Sequence, residues 1–85
     1  MNQMEFLHAP VSVEVNFDRD GRLTLRSFIW EGRVYQVSAT GRCWREGQHH
    51  HFLVMTTFGE TFELALDTEN LRWWVEKRWR KEAIV

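Results

Sequence analysis

Three consecutive histidines, His49, His50 and His51, and a single cysteine, Cys43, are the side chains best equipped for metal binding or nucleophilic chemistry. In an extended strand alternate residues face opposite sides, so His49 and His51 share a face and His50 takes the other. A closed zinc site uses about four ligands. The chain has no second cysteine, no Cys-x-x-Cys, and only His8 besides this run. The expectation is therefore no metal, with His49, His51 and Cys43 as the residues that would serve if one bound. A chain reversal at Glu46-Gly47 sets His50 opposite Cys43, whereas a reversal at Gly47-Gln48 sets Phe52 there. A thiol–imidazole pair becomes a nucleophile only when the thiol pKa is lowered. Phosphate-cradling Gly-rich loops, Gly-x-Ser-x-Gly and His-Glu-x-x-His are all missing. Neither an enzyme nor a cofactor is expected.

Arginine and tryptophan make the stronger signal. Arg72, Lys77, Arg78, Arg80 and Lys81 outweigh Glu76 and Glu82 near the C-terminus. Arg22, Arg26, Arg33, Arg42 and Arg45 outweigh Glu31 earlier, with Glu60, Glu63, Asp67 and Glu69 forming an acidic stretch between. Arg33, Arg42, Trp44, Arg45, Arg72, Trp74, Arg78 and Arg80 form the expected binding set. Arginine beside tryptophan suits phosphate contact with base stacking, hence single-stranded nucleic acid. The same residue types are enriched at protein interfaces, hence a protein partner or a homodimer joined through an open strand edge. The plain alternative is a solvated face whose long side chains cover apolar rings. A net charge of −1 gives no whole-chain reason to bind nucleic acid.

The elements that must carry these residues are short strands between turns. Val11, Val13 and Val15 alternate with Ser12, Glu14 and Asn16, the period-two pattern of a half-buried strand. Asp18-Arg19-Asp20-Gly21 is a turn, and Glu31-Gly32 is a two-residue hairpin loop. That loop pairs Trp30 with Arg33, Ile29 with Val34 and Phe28 with Tyr35. Phe28, Trp30, Tyr35 and Val37 then share a core face. Leu23 and Leu25 fall out of phase with them, which requires a bulge near Arg26-Ser27. A long third strand from Arg33 to Arg45 bends at Gly41. Glu46-Gly47-Gln48, Phe58-Gly59-Glu60 and Asp67-Thr68-Glu69-Asn70 close the later strands, and Phe62, Leu64 and Leu66 point one way in the fifth. Over residues 71–79 a strand puts Leu71, Trp73, Val75 and Trp79 on one face, broken at Lys77. A helix gives the stripe Leu71, Trp74, Val75 and Trp79. Trp and Val favour the strand. The expected fold is all-β: a small antiparallel meander of about six strands, forming a strongly bent sheet or a partly open barrel, with the last segment as the one place for a helix.

Eighty-five residues suit one domain, 1–85, with its core over 10–79. Five Trp, six Phe and one Tyr supply the large rings that a small core needs. One cysteine makes no internal disulfide. The longest apolar run, Phe52–Met55, falls far short of the roughly 20 residues of a membrane span. The N-terminus has no signal-peptide pattern. A cytoplasmic protein with no membrane partner is expected.

Phe28-Ile29-Trp30-Glu31-Gly32-Arg33-Val34-Tyr35-Gln36-Val37 forms an F-x-W-x-G-R-x-Y-x-V pattern. Trp44-Arg45, Phe52, the Gly59-Glu60-Thr61-Phe62-Glu63-Leu64 run leading to Asp67, and Arg72-Trp73-Trp74 follow in order. Over Pro10 to Trp79 the chain resembles a bacterial family of small domains of unknown function. Such domains occur alone and at the C-terminal end of Y-family polymerase-like proteins resembling ImuB. The resemblance implies a link to DNA-damage tolerance. It brings no catalytic residues.

Overall fold

A computed structural model describes the backbone of residues 2–81; Met1 and residues 82–85, including Glu82 of the C-terminal charge cluster, lie outside it. The described chain is six strands: β1 (Asn2–Phe17), β2 (Leu23–Trp30), β3 (Arg33–Glu46), β4 (His49–Thr56), β5 (Thr61–Asp67) and β6 (Arg72–Lys81). All neighbours are antiparallel, and β1 also pairs with β6, so the meander closes into a barrel. Closure pairs the first strand with the last, so neither is a terminal edge. It is possible because β1 and β3 are long enough to serve two sheets. β1 pairs with β6 over Asn2–Val11 and with β2 over Ser12–Phe17. β3 pairs with β2 up to Gln36 and with β4 from Val37 onward. Strands that cross from one sheet to the other at bulges make the corners of such a barrel.

The hairpin at Glu31-Gly32 has the expected register, Phe28 with Tyr35 and Trp30 with Arg33. Both loop residues have positive φ, 52° and 73°, as a type I′ turn demands. Arg26 is the extra residue between the Glu14–Ser27 and Val15–Leu25 pairs, so the bulge that rephases β2 is present. β3 breaks register between Thr40 and Cys43, where Gly41 lies. No helix forms over residues 71–79. The irregularity at Lys77 is instead a bulge: Lys77 pairs with Glu63 and Val75 with Leu64, leaving Glu76 extra. Past it the alternation is inverted. Arg78 pairs with the fully buried Phe62 and faces inward, while Trp79 pairs with Thr61 and faces outward. Trp79 therefore does not share a face with Trp73 and Val75.

Leu25, Phe28, Trp30, Tyr35, Phe52, Val54, Phe62, Leu64 and Val75 fill the barrel. Phe28 stacks on Tyr35, and Phe62 meets Phe28, Trp30 and Tyr35 edge-on. Each such side chain contributes about 1.5–3 kcal/mol on burial. Arg78 closes one mouth. Its guanidinium lies 4.9 Å over the Trp30 ring, makes three hydrogen bonds to Glu5 at 2.9–3.1 Å, and sits 3.8 Å from Glu60. No helix among the described residues is long and apolar enough to cross a membrane.

Candidate binding face

The larger sheet runs β3–β4–β5–β6–β1, and its inner face is the core. One row across its outer face is set by register alone: Trp44 opposite His51, His51 opposite Ala65, Ala65 opposite Trp74, and Trp74 opposite Pro10. Side chains directly opposite one another lie on the same side of a sheet about 4.5–5.5 Å apart. Trp44 and His51 accordingly stack, with centroids 5.1 Å apart and planes at 5°. Trp74 stacks on His8 rather than on Pro10, at 5.0 Å and 3°. His8 reaches it from a bulge between Phe6 and Ala9 with φ of 42°, a conformation that few residue types adopt. Bulges of this kind re-aim a side chain. Two indole–imidazole stacks thus flank Ala65.

Each imidazole is fixed by a carboxylate. His8 Nδ1 lies 2.9 and 3.0 Å from the two Glu76 oxygens, so the β1 bulge and the β6 bulge meet in one contact. His51 Nδ1 lies 3.0 Å from Glu63, whose other oxygen is 3.6 Å from Lys77. In a neutral imidazole, a carboxylate on Nδ1 selects the tautomer that carries the proton there and leaves Nε2 as an acceptor. The Trp44 indole N–H donates to Glu46 at 3.0 Å. Between the stacks lies a cleft of about 230 Å³ lined by His8, Glu46, His49, His51, Ala65 and Glu76.

Of the sequence-derived binding set, Trp44, Trp74, Arg42 and Arg72 come to this face. Arg42 lies 5.2 Å over Trp44. Arg72 is in the next row, opposite Asp67, which is opposite His49. The others are elsewhere. Arg33 lies over Tyr35 and Phe58 at the barrel mouth that Arg78 closes. Arg80 joins Arg78 on Glu5, at 3.1 Å. Arg45 pairs with His50 toward the opposite mouth. The eight residues do not form a single basic surface.

Cys43 pairs with Phe52, so the reversal is at Gly47-Gln48 and no Cys43–His50 pair forms. Desolvation pushes the Cys43 thiol up, away from the thiolate. His50 tilts onto Phe52 at 4.4 Å, and burial, then Arg45 and His51, push its pKa down. Amide hydrogen bonds from Glu69 and Asn70 hold the Asp67 carboxyl below its usual range. His49 and His51 share the outer face with centroids 6.4 Å apart, but among the described residues no three His, Cys, Asp or Glu side chains converge on a metal position. His8, Glu63 and Glu76 are the face residues that the sequence reading missed. The period-two placing of Glu63 between Phe62 and Leu64 marks it as outward, whereas nothing local marks the two bulges that join His8 to Glu76.

Compared with family models, curated proteins and solved structures, the chain matches none, and the functional reading rests on its own residues.

Proposed function

We propose that the protein is a non-enzymatic module that binds a macromolecule on the outer face of β3–β4–β5–β6–β1. The observation that carries this reading is the Trp44–His51–Ala65–Trp74 row, large rings held in fixed orientations on the outside of a barrel whose core is already filled. Rigid aromatic side chains give contact area at little cost in conformational entropy, the property of interface anchors. Apolar surface extends the same face: Phe6 is 74% exposed and Met4, opposite Trp79, is 45% exposed.

Charge selects between the two partner classes. Single-strand binding uses a positive groove that tracks phosphates. Here Arg42, Arg72 and Lys77 share the face with Glu46, Glu63, Asp67 and Glu76, and two carboxylates line the central cleft. That balance favours a polypeptide partner over a nucleic acid. The resemblance of the Phe28–Val37 motif adds the expectation of a partner in bacterial DNA-damage tolerance, and one reduced thiol suits the cytoplasm.

A second protein-binding reading has its own observation. β2–β3 pairing stops at Ser27–Gln36, and the strands part around a cleft of about 360 Å³ lined from Thr24–Arg26 and Gln36–Thr40. Those strand edges are where a copy of the chain would add a strand.

The test is proximity labelling in bacteria with the wild type, a Trp44→Ala/Trp74→Ala double variant and a Val34→Ser control. The expected result is one protein enriched with wild type and control and lost with the double variant. Tight oligonucleotide binding that weakens steeply with salt would move the reading to nucleic acid. A concentration-dependent dimer lost in Ser38→Pro would move it to self-assembly.

A further inference from the structure

We infer that the cleft above Ala65 is a subsite for an arginine side chain of the partner. The inference rests on the polypeptide reading of this face and names what the face recognises. Three features of the cleft select that side chain.

The first is the aromatic frame. Trp44 and His51 stand on β3 and β4, and Trp74 and His8 on β6 and β1, while the β5 member, Ala65, contributes a methyl group and no ring. The flanking side chains already cover that methyl, which is 1% exposed, and His51 is 13% exposed, so the two stacks leave no open slot between them. A planar group therefore lies in the cleft across the outer rims of the rings, above Ala65, rather than inserted between the stacks.

The second is charge. Glu46 and Glu76 line the cleft, and no Lys or Arg is among its lining residues. Glu46 accepts the Trp44 N–H through Oε1, so its Oε2 remains for a donor. His8 and His51 each place Nδ1 on a carboxylate, which leaves Nε2 of the neutral ring as its acceptor. The cleft thus offers acceptors and negative charge to a planar, donor-rich cation. Guanidinium is planar and carries five N–H donors; the lysine ammonium is neither planar nor suited to stacking.

The third is precedent within this chain. Arg78 lies 4.9 Å over Trp30 while donating to Glu5, and Arg42 lies 5.2 Å over Trp44. An indole with a nearby carboxylate already holds guanidinium at the barrel mouth. The cleft repeats those chemical elements with no guanidinium among its lining residues.

Titrating N-acetyl-arginine amide into the isotope-labelled full chain tests this by amide chemical shifts, with N-acetyl-lysine amide, N-acetyl-glutamate amide and adenosine monophosphate as comparison probes. The expected result is saturable shifts at Ala65, His51 and Glu76 with millimolar affinity, several-fold weaker for the lysine probe. Glu46→Gln should weaken the arginine probe by about tenfold, the loss of one charge-assisted contact. Ala65→Leu, which pushes a longer side chain up into the cleft, should abolish the shifts, its spectrum away from the cleft showing that it folds. Equal or stronger shifts from the glutamate probe or the nucleotide would overturn the assignment, as would arginine shifts confined to other surfaces or unaffected by Ala65→Leu. Failure of the proximity-labelling test with a saturable arginine site would sink the face reading alone. Partner loss in Trp44→Ala/Trp74→Ala with no arginine site would sink the subsite alone.

Discussion

Nδ1 of His51 lies 3.0 Å from Oε2 of Glu63, a carboxylate that points out of the barrel yet is only 7% exposed. Burial on an outer face follows from what flanks it. His51 and its stacked Trp44 stand on one side, and the Lys77 stem, whose ammonium lies 5.5 Å over Phe6, stands on the other. Glu63 therefore ties β4, β5 and β6 together outside the core and fixes one of the two ring stacks.

Glu63→Ala should lower the unfolding free energy by about 1–3 kcal/mol, because it leaves His51 Nδ1 unpartnered in a largely buried position. Lys77→Met should cost less than about 1 kcal/mol, since the lysine side chain is one-third exposed and its contact with Glu63, at 3.6 Å, is long. Urea unfolding of both variants checks the order. Equal losses would show that the carboxylate acts through lysine rather than histidine.

Arg78 makes a second test of polar closure. Arg78→Met keeps the length and apolar stem but removes the contact with Trp30 and takes Arg78 from Glu60, while Glu5 keeps Arg80 at 3.1 Å. A loss of about 1–3 kcal/mol is expected, the cost of unpairing a partly buried charged group. Adding Glu60→Gln to Arg78→Met should recover part of it. A double variant that is additive would contradict the coupling.

Much of this fold could be read from residue order. The Phe28–Tyr35 register, the Arg26 bulge, the Gly41 break and the opposite facing of Trp73 and Trp74 all follow from period-two alternation and one hairpin loop. Closure could not be read, because it depends on β1 running from Asn2, where Met4 and Phe6 alternate with Gln3 and Glu5 but face outward, so the pattern marks no core face until the bulge between Phe6 and Ala9. The face was half legible: Trp44 and Trp74 were identified by type, but their pairing with His51 and His8 depends on register and on two bulges. Arg78 was misplaced among the binding residues for the same reason, since the Glu76 bulge turns it inward.

Backbone strain gives a prediction of the opposite sign. Leu71 holds φ of 57° in the β5–β6 turn while its side chain is 74% exposed, so it has left-handed geometry without a packing reason. Glu31 holds φ of 52° in the β2–β3 hairpin. Left-handed backbone costs most residues about 1–2 kcal/mol, and Gly and Asn largely escape it. Leu71→Asn and Glu31→Asn should each raise stability by about 0.5–1 kcal/mol, and their effects should add because the turns lie at opposite ends of the barrel. Thermal melts of the single and double variants check this, and a lowered midpoint for Leu71→Asn would mean that its side chain packs in solution.

His50 should make stability depend on pH in a defined direction. Its ring lies against Phe52 on the inner side of β4, and burial first, then Arg45 and His51, pushes its pKa below the ordinary value. The unfolded chain therefore binds a proton at His50 more readily than the folded chain does. Stability from this residue is fully present above the ordinary value of about 6.5 and is lost as pH falls through that value toward the lower folded one. His50→Gln removes the linkage, so the decline in unfolding free energy between about pH 7 and about pH 5 should be shallower in the variant than in the wild type. Urea unfolding at steps across that range measures the slope. A wild-type curve that rises on acidification, or a decline untouched by His50→Gln, would place the proton-sensitive group elsewhere.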